Sequence, residues 1–208
     1  MVKKERISTN MVKQISILFL FSLIFSSVTF SQQTHVFTDD ERKFKEAKQL
    51  FIQQQYALAY PLLQQVKEQY PDNQISNNTY LHDDVNYYFI VCRLKLRLEL
   101  AEDEATHYID WVNNTPRGQL MSYHLAKFYF DKDNFSQAIS YYEQAGLDNL
   151  SNEEIANAKF EMGYCYFNLK NFAKAKPLFN EIHQLPGSKY YIPANYYYGF
   201  ISDRKSVV

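Results

Sequence analysis

The chain is short of glycine, of cysteine and of net charge. Five Gly in 208 residues are too few for the tight turns of a turn-rich β protein. Two Cys, Cys92 and Cys165, make no disulfide framework. Each lies in an apolar run of helical spacing and reads as a small buried helix residue. A formal net charge of −1 gives no basic surface to displace counterions, so nucleic acid is not an expected partner. There is no Gly-rich phosphate loop and no Gly-x-Ser-x-Gly elbow. The five His, at positions 35, 82, 107, 124 and 183, lack the partners and spacing of a helical zinc site. Only His82-Asp83-Asp84 gathers metal-ligating side chains, and it reads as a solvated loop. No catalytic, cofactor-binding or metal-binding residue is assigned, and the expectation is a non-enzymatic protein without a cofactor.

What the chain does have is apolar and aromatic mass: 46% apolar residues, with 18 Tyr and 16 Phe. Residues 1–31 read as a secretory signal. Lys3, Lys4, Arg6 and Lys13 form a basic start, Ile15 to Phe25 an apolar stretch, and Thr29 and Ser31 a small-x-small site with cleavage after Ser31. Met11 is a second possible start. The competing reading is an uncleaved anchor over Ile15 to Phe30, a 16-residue segment interrupted by Ser and Thr, short against the roughly 20 apolar residues of a spanning helix. No Cys lies at the cleavage site, which closes the lipoprotein route. The expected location is therefore outside the cytosol, periplasmic or associated with the outer envelope. Membrane contact is expected only through an uncleaved signal segment. Residues 32–39 are a polar linker.

The rest of the chain repeats. Leu125-Ala126-Lys127-Phe128-Tyr129-Phe130, followed by Asn134-Phe135-Ser136-Gln137-Ala138 and Tyr141-Tyr142, recurs as Met162-Gly163-Tyr164-Cys165-Tyr166-Phe167, Asn171-Phe172-Ala173-Lys174-Ala175 and Phe179. Ala138 and Ala175 are 37 residues apart, a period that marks a helical solenoid. Five units follow. Residues 40–73 pair a helix carrying Ala47, Leu50 and Phe51 with one carrying Tyr56, Ala59, Leu63 and Val66. Pro61 sits early in that second helix and Pro71 stops it. Asn73 to Asp84 reads as a long polar loop. Residues 86–118 form a degenerate unit, with one helix from Asn86 to Asp103 and a second carrying Ala105, Tyr108, Ile109 and Val112 up to Pro116. The third and fourth units are 119–152 and 156–189. Between them Ser151 and Glu154 form a capping box. Residues 192–208 begin a fifth unit, with Gly199 placed 36 residues after Gly163. It breaks off within a helix at Asp203-Arg204-Lys205-Ser206-Val207-Val208, which coincides with one translation of a widely used sequencing adapter. The expectation is a natural chain that continues past Ser202; an ordinary short tail is the alternative.

These residues resemble the tetratricopeptide repeat family. Small residues at the helix crossing and large ones in the groove recur as Ala47, Leu50, Ala59, Leu63 and Pro71, as Ala126, Tyr129, Ala138, Tyr142 and Ala145, and as Gly163, Tyr166, Ala175 and Phe179. The resemblance implies an all-α, right-handed superhelical solenoid of helix-turn-helix repeats. It extends to the N-terminal part of long exported tetratricopeptide proteins of Gram-negative bacteria. It also implies a protein or peptide partner on a concave face lined by the first helices. Carried over residue by residue, that face holds Phe44 and Phe51, Tyr123 and Phe130, Phe160 and Phe167, and Tyr196, with Lys48, Lys127 and Tyr164 between them. Aromatics at helical spacing are equally what helix packing requires. The Asn of the family's carboxylate clamp is replaced by Lys48, Lys127 and Tyr164, so chaperone-tail binding is not expected. The function implied is an interaction scaffold of the bacterial cell envelope. A membrane-tethered structural subunit, and the N-terminal fragment of a larger protein with a further domain, are the alternatives.

Overall fold

The computed structural model describes residues 39–69, 79–113 and 115–204; the signal, residues 32–38 of the expected linker and Pro71 lie outside them, and Asp39, expected in the linker, opens the first helix. Among the described residues there are nine helices and no strand: α1 Asp39–Ile52, α2 Tyr56–Gln69, α3 Thr79–Leu96, α4 Ala101–Val112, α5 Pro116–Asp131, α6 Phe135–Ala145, α7 Asn152–Asn168, α8 Phe172–His183 and α9 Tyr191–Arg204. Each packs on the helix before and after it. The result is an all-α solenoid of helix pairs, α1/α2, α3/α4, α5/α6 and α7/α8, followed by α9. In addition, the first helices touch across pairs, α1 to α3, α3 to α5 and α5 to α7. The second helices form no comparable row, so the first helices line the inner side of the stack.

Local chemistry fixes the turns. The first helix of every pair ends on a left-handed residue that is not glycine: Gln54, Arg97, Asp133 and Lys170. The N–H of the next residue then reaches back five positions, Gln55 to the Leu50 carbonyl at 2.9 Å, Leu98 to Arg93 at 3.0 Å, Asn134 to Tyr129 at 2.9 Å and Asn171 to Tyr166 at 2.8 Å. That bond occupies a carbonyl the helix end leaves open. Asn134 and Asn171 then cap the following helix by accepting from the N–H of Gln137 and Lys174. Ser151 and Glu154 complete the expected capping box at the start of α7. Thr115 caps α5, with Pro116 at the first helical position, where its missing N–H costs nothing.

The second pair departs from the sequence reading. Thr79 to Asp84, expected in a loop, are helical and open α3. The helix expected from Asn86 to Asp103 breaks at Leu96, because Arg97 and Leu100 both adopt positive φ. Relative to the third and fourth pairs this turn is longer: Leu98 and Glu99 separate the left-handed Arg97 from the N-cap Leu100, whereas Asp133 and Lys170 are followed directly by the N-caps Asn134 and Asn171. Ala105, Tyr108 and Ile109 are buried on one face, as expected, and Ile90 stands where the other first helices carry Ala47, Ala126 or Gly163. The larger Ile90 side chain accounts for the weak signature of this unit.

The core runs the length of the stack. On α5, Met121, Leu125 and Phe128 face the earlier helices, whereas Tyr123 and Ala126 join the core shared with α6 to α9. In the first, third and fourth pairs the crossing carries a small residue on the first helix, Ala47, Ala126 or Gly163, and a large buried one on the second, Leu63, Tyr142 or Phe179. A Cβ built on Gly163 falls 3.0 Å from Cε1 of Phe179, closer than carbon atoms pack. Gly163→Leu is therefore expected to overpack this crossing and cost about 1–3 kcal/mol, read as a lowered denaturation midpoint. An unchanged midpoint would show that the register is wrong. Cys92 and Cys165 are buried in different pairs, and burial pushes both thiols up to about 12. Both should resist alkylation in the native protein and react only on unfolding, as followed by mass spectrometry.

Candidate functional site

The inner side is built by residues that alternate along α1, α3, α5, α7 and α9, and the expected aromatic row falls there as a packed seam. Phe44 is buried and Phe51 half-buried. Their ring centroids lie 5.9 and 4.8 Å from that of Tyr88, and Lys48 places its ammonium 5.3 Å from the same ring. Tyr123 is buried 6.1 Å from Tyr142. Phe130 meets Tyr164 edge-on at 5.8 Å, and Tyr164 meets Tyr197 at 5.7 Å. Phe160 stacks on Tyr190 at 4.3 Å, and Phe167 contacts Tyr197 at 4.8 Å. Tyr196 is 66% exposed. Most of these rings thus join one helix pair to the next. Edge-to-face contacts of this kind contribute about 0.5–1.5 kcal/mol each beyond the area they bury.

Between the rings lies a polar cluster that the sequence reading did not assemble. Lys127 on α5 donates to Oε1 of Glu161 on α7 at 2.6 Å, and the Tyr142 hydroxyl donates to the other oxygen, Oε2. Glu161 is buried, so its charge is tolerated there only because both oxygens are paired. One period toward the N-terminus, Arg117 pairs with Asp84 and lays its guanidinium 4.7 Å from the Tyr87 ring. His124 sits between, its ring 6.2 Å from Tyr87 and 5.6 Å from Tyr123. Its Nδ1 is sealed from solvent with no hydrogen-bond partner, as is Oδ1 of Asn157, whose side chain bonds the Tyr123 hydroxyl.

The electrostatics follow from burial. Desolvation, helped by the Lys95 and Lys127 ammonium groups, pushes the His124 imidazole down to about 3, so it is neutral near pH 7. Desolvation also lowers Lys95, with repulsion from Lys127 adding to it, while Asp131, Glu161 and Glu154 act in the opposite sense. Tyr87 and Tyr123 are both raised, chiefly by burial. The arrangement is one of fixed dipoles and cations around two orphaned polar atoms. It contains no nucleophile beside a base. Among the described residues no three His, Cys, Asp or Glu converge as for a metal ion. The acidic run after His82 is occupied: Asp83 accepts from the Tyr108 hydroxyl at 2.7 Å and Asp84 from Arg117.

A hollow of about 640 Å³ opens between α2 and α4, floored by Phe89 and Ile90 of α3 and rimmed by Trp111. Trp111 is 64% exposed.

A family model described as tetratricopeptide repeat matches residues 157–188. The chain carries a tetratricopeptide repeat. The matched span runs from Asn157 through α7 and α8 and contains Gly163, Tyr166, Ala175 and Phe179. Among curated proteins none matches the chain. Among the described residues no helix is long and apolar enough to cross a membrane; Ile15 to Phe30 lie outside them.

Sequence reasoning named Lys127 but not Glu161, His124 or Lys95, whose contacts are long-range. Lys127 and Glu161 are 34 residues apart, close to one period, so a charge pair at that spacing is the pattern to seek. His124 and Lys95 carry no such mark.

The depressed His124 pKa sets a direction for acid sensitivity. The unfolded chain binds the proton near pH 6.5 and the folded one only near pH 3, so this stability is complete above about 6.5 and is lost as pH falls toward 3. Between pH 7 and pH 5 the loss from this group is about 2 kcal/mol. His124→Phe should flatten the stability profile across that window, as measured by denaturation at both pH values. An unaltered slope would contradict the desolvation of the His124 imidazole.

Proposed function

We propose that this chain is a non-enzymatic scaffold of the cell envelope, exported through its N-terminal segment, which holds an extended segment of a partner protein along the inner face. The tetratricopeptide repeat and the all-helical solenoid support an interaction role. The observation that carries the choice of face is the pair of orphaned polar atoms, His124 Nδ1 and Asn157 Oδ1, beside the Lys95 ammonium. A sealed polar group without a partner costs about 1–3 kcal/mol. Lys95, half-buried beside these sealed atoms, is the group a partner reaches, and a carboxylate or carbonyl of the bound peptide meets its ammonium. The packed aromatic seam supplies the rigid walls, so little ordering is needed on binding.

The test is site-specific photo-crosslinking in cells, with benzoyl-phenylalanine at His124 or Tyr88 on the inner side and at Trp111 or Lys174 on the second helices. Partner adducts are expected from the inner positions. Adducts confined to Trp111 or Lys174 would overturn the reading and move the interface to the outer surface.

A further inference from the structure

The second pair is where the solenoid is irregular, and the hollow opens there. Ile90 stands at its crossing in place of a small residue, and α4 packs less closely on α3 than the second helix does in the other pairs. The space left between α2 and α4, about 640 Å³ with Phe89 and Ile90 as its floor, is in the size range of a ligand site. Two large apolar residues stand at its edge, one at each end of α4. They are Leu100, 67% exposed, and the exposed Trp111, the single Trp of the chain. Apolar surface left in water beside an apolar floor marks an interaction site.

The charge along this edge has one sign. Helix α4 carries four carboxylates and no Lys or Arg. Glu102 pairs with Lys132 at 2.8 Å and Glu104 with Arg93 at 2.9 Å. Asp103 and Asp110 are exposed and form no ion pair among the described residues. Asp103 lines the hollow, and Asp110 precedes Trp111. The two stand seven residues apart, two turns along one face of α4 and about 10 Å from each other along its axis. Across the hollow Lys67 donates to Oδ1 of Asn86 and lies 5.6 Å from the Phe89 ring, so its ammonium is directed at the chain itself.

We propose that the hollow between α2 and α4 docks a basic amphipathic helix of another protein. The occupant sets two Lys or Arg, at i and i+7, against Asp103 and Asp110. Large apolar residues at i+3 and i+4 enter between Leu100 and Trp111 onto Phe89 and Ile90. The unpaired carboxylates select the sign of the partner, and their spacing selects a helix. Residues about 10 Å apart on an extended strand are three along and point to opposite sides. On a helix that distance is two turns and returns to the same face. This site lies on the second helices, apart from the polar inner cluster, and neither reading depends on the other.

The probe is a labelled, alanine-based helical peptide without Trp, carrying Lys at both basic positions and Phe and Leu at the apolar ones. It is titrated into the full chain. Fluorescence anisotropy follows the label, and the emission of Trp111, the one indole present, reports the site. Saturable binding with a blue shift of that emission is expected. Affinity should fall at least about tenfold with Trp111→Ala. It should fall about threefold or more with Asp103→Asn and Asp110→Asn together, and also as salt is raised. All three side chains are exposed, so the denaturation midpoint of each variant should stay close to that of the parent. Any of five results would overturn the proposal. The first is no binding to a folded, monomeric chain. The second is binding that leaves Trp111 emission unchanged, and the third is equal affinity for a peptide with Glu in place of both Lys. The fourth is a free chain whose Trp111 already emits as a buried indole, which would show the hollow filled by the chain itself. The last is self-association, seen by sedimentation velocity, that Trp111→Ala abolishes, which assigns the surface to a second copy.

Discussion

The structure depends on one steric constraint, the close crossing of two helices where a small residue on the first faces a large one on the second. At Gly163 a Cβ would lie 3.0 Å from the Phe179 ring, so the ring would have to shift to admit one. Ala126 with Tyr142 and Ala47 with Leu63 stand in the same register, all four buried. Because the crossing is fixed, the turn is fixed as well, and each pair ends its first helix on the same left-handed residue with the same backward hydrogen bond. A left-handed non-glycine residue is disfavoured by roughly 1–2 kcal/mol, so the conformation at Gln54, Arg97, Asp133 and Lys170 is held by the packing on either side of it. Stacking such pairs brings the first helices together on one side.

The consequence for function is electrostatic. The inner side is too crowded with rings to be a wet groove, yet it contains charges. Glu161 is neutralised by Lys127 and by the Tyr142 hydroxyl, and Arg117 by Asp84. These pairs bridge one repeat to the next, so they fix register as well as balance charge. Lys95 lies half-buried on the same side, near the sealed Nδ1 of His124. Most of the aromatic residues on this side act as structure.

The fold was legible where the small residues were. Ala126, Ala138, Gly163 and Ala175 located the third and fourth pairs, and Ser151 with Glu154 located the start of α7, because each imposes a local geometry that few other residues allow. The second pair was misread for the same reason. Ile90 replaces the small residue, and two further residues, Leu98 and Glu99, lengthen the turn before α4. Nothing in the run from Asn86 to Asp103 signals the break at Leu96, since Arg97 and Leu100 are neither glycine nor asparagine. The candidate site was half legible. Its aromatic positions were read from helical spacing on the first helices, but their engagement with one another is tertiary. The contacts of His124 with Tyr87 and of Glu161 with Tyr142 join residues distant in the chain, with no motif to announce them.

A double-mutant cycle on the α7/α8 crossing tests the steric constraint most directly. Gly163→Leu, Phe179→Ala and the double variant are compared by equilibrium denaturation. If the glycine exists to admit the Phe179 ring, the leucine costs much less once that ring is gone, with a coupling of about 0.5–3 kcal/mol. Additive costs would mean that Gly163 and Phe179 do not share the crossing, and the repeat register and the inner face derived from it would fall together.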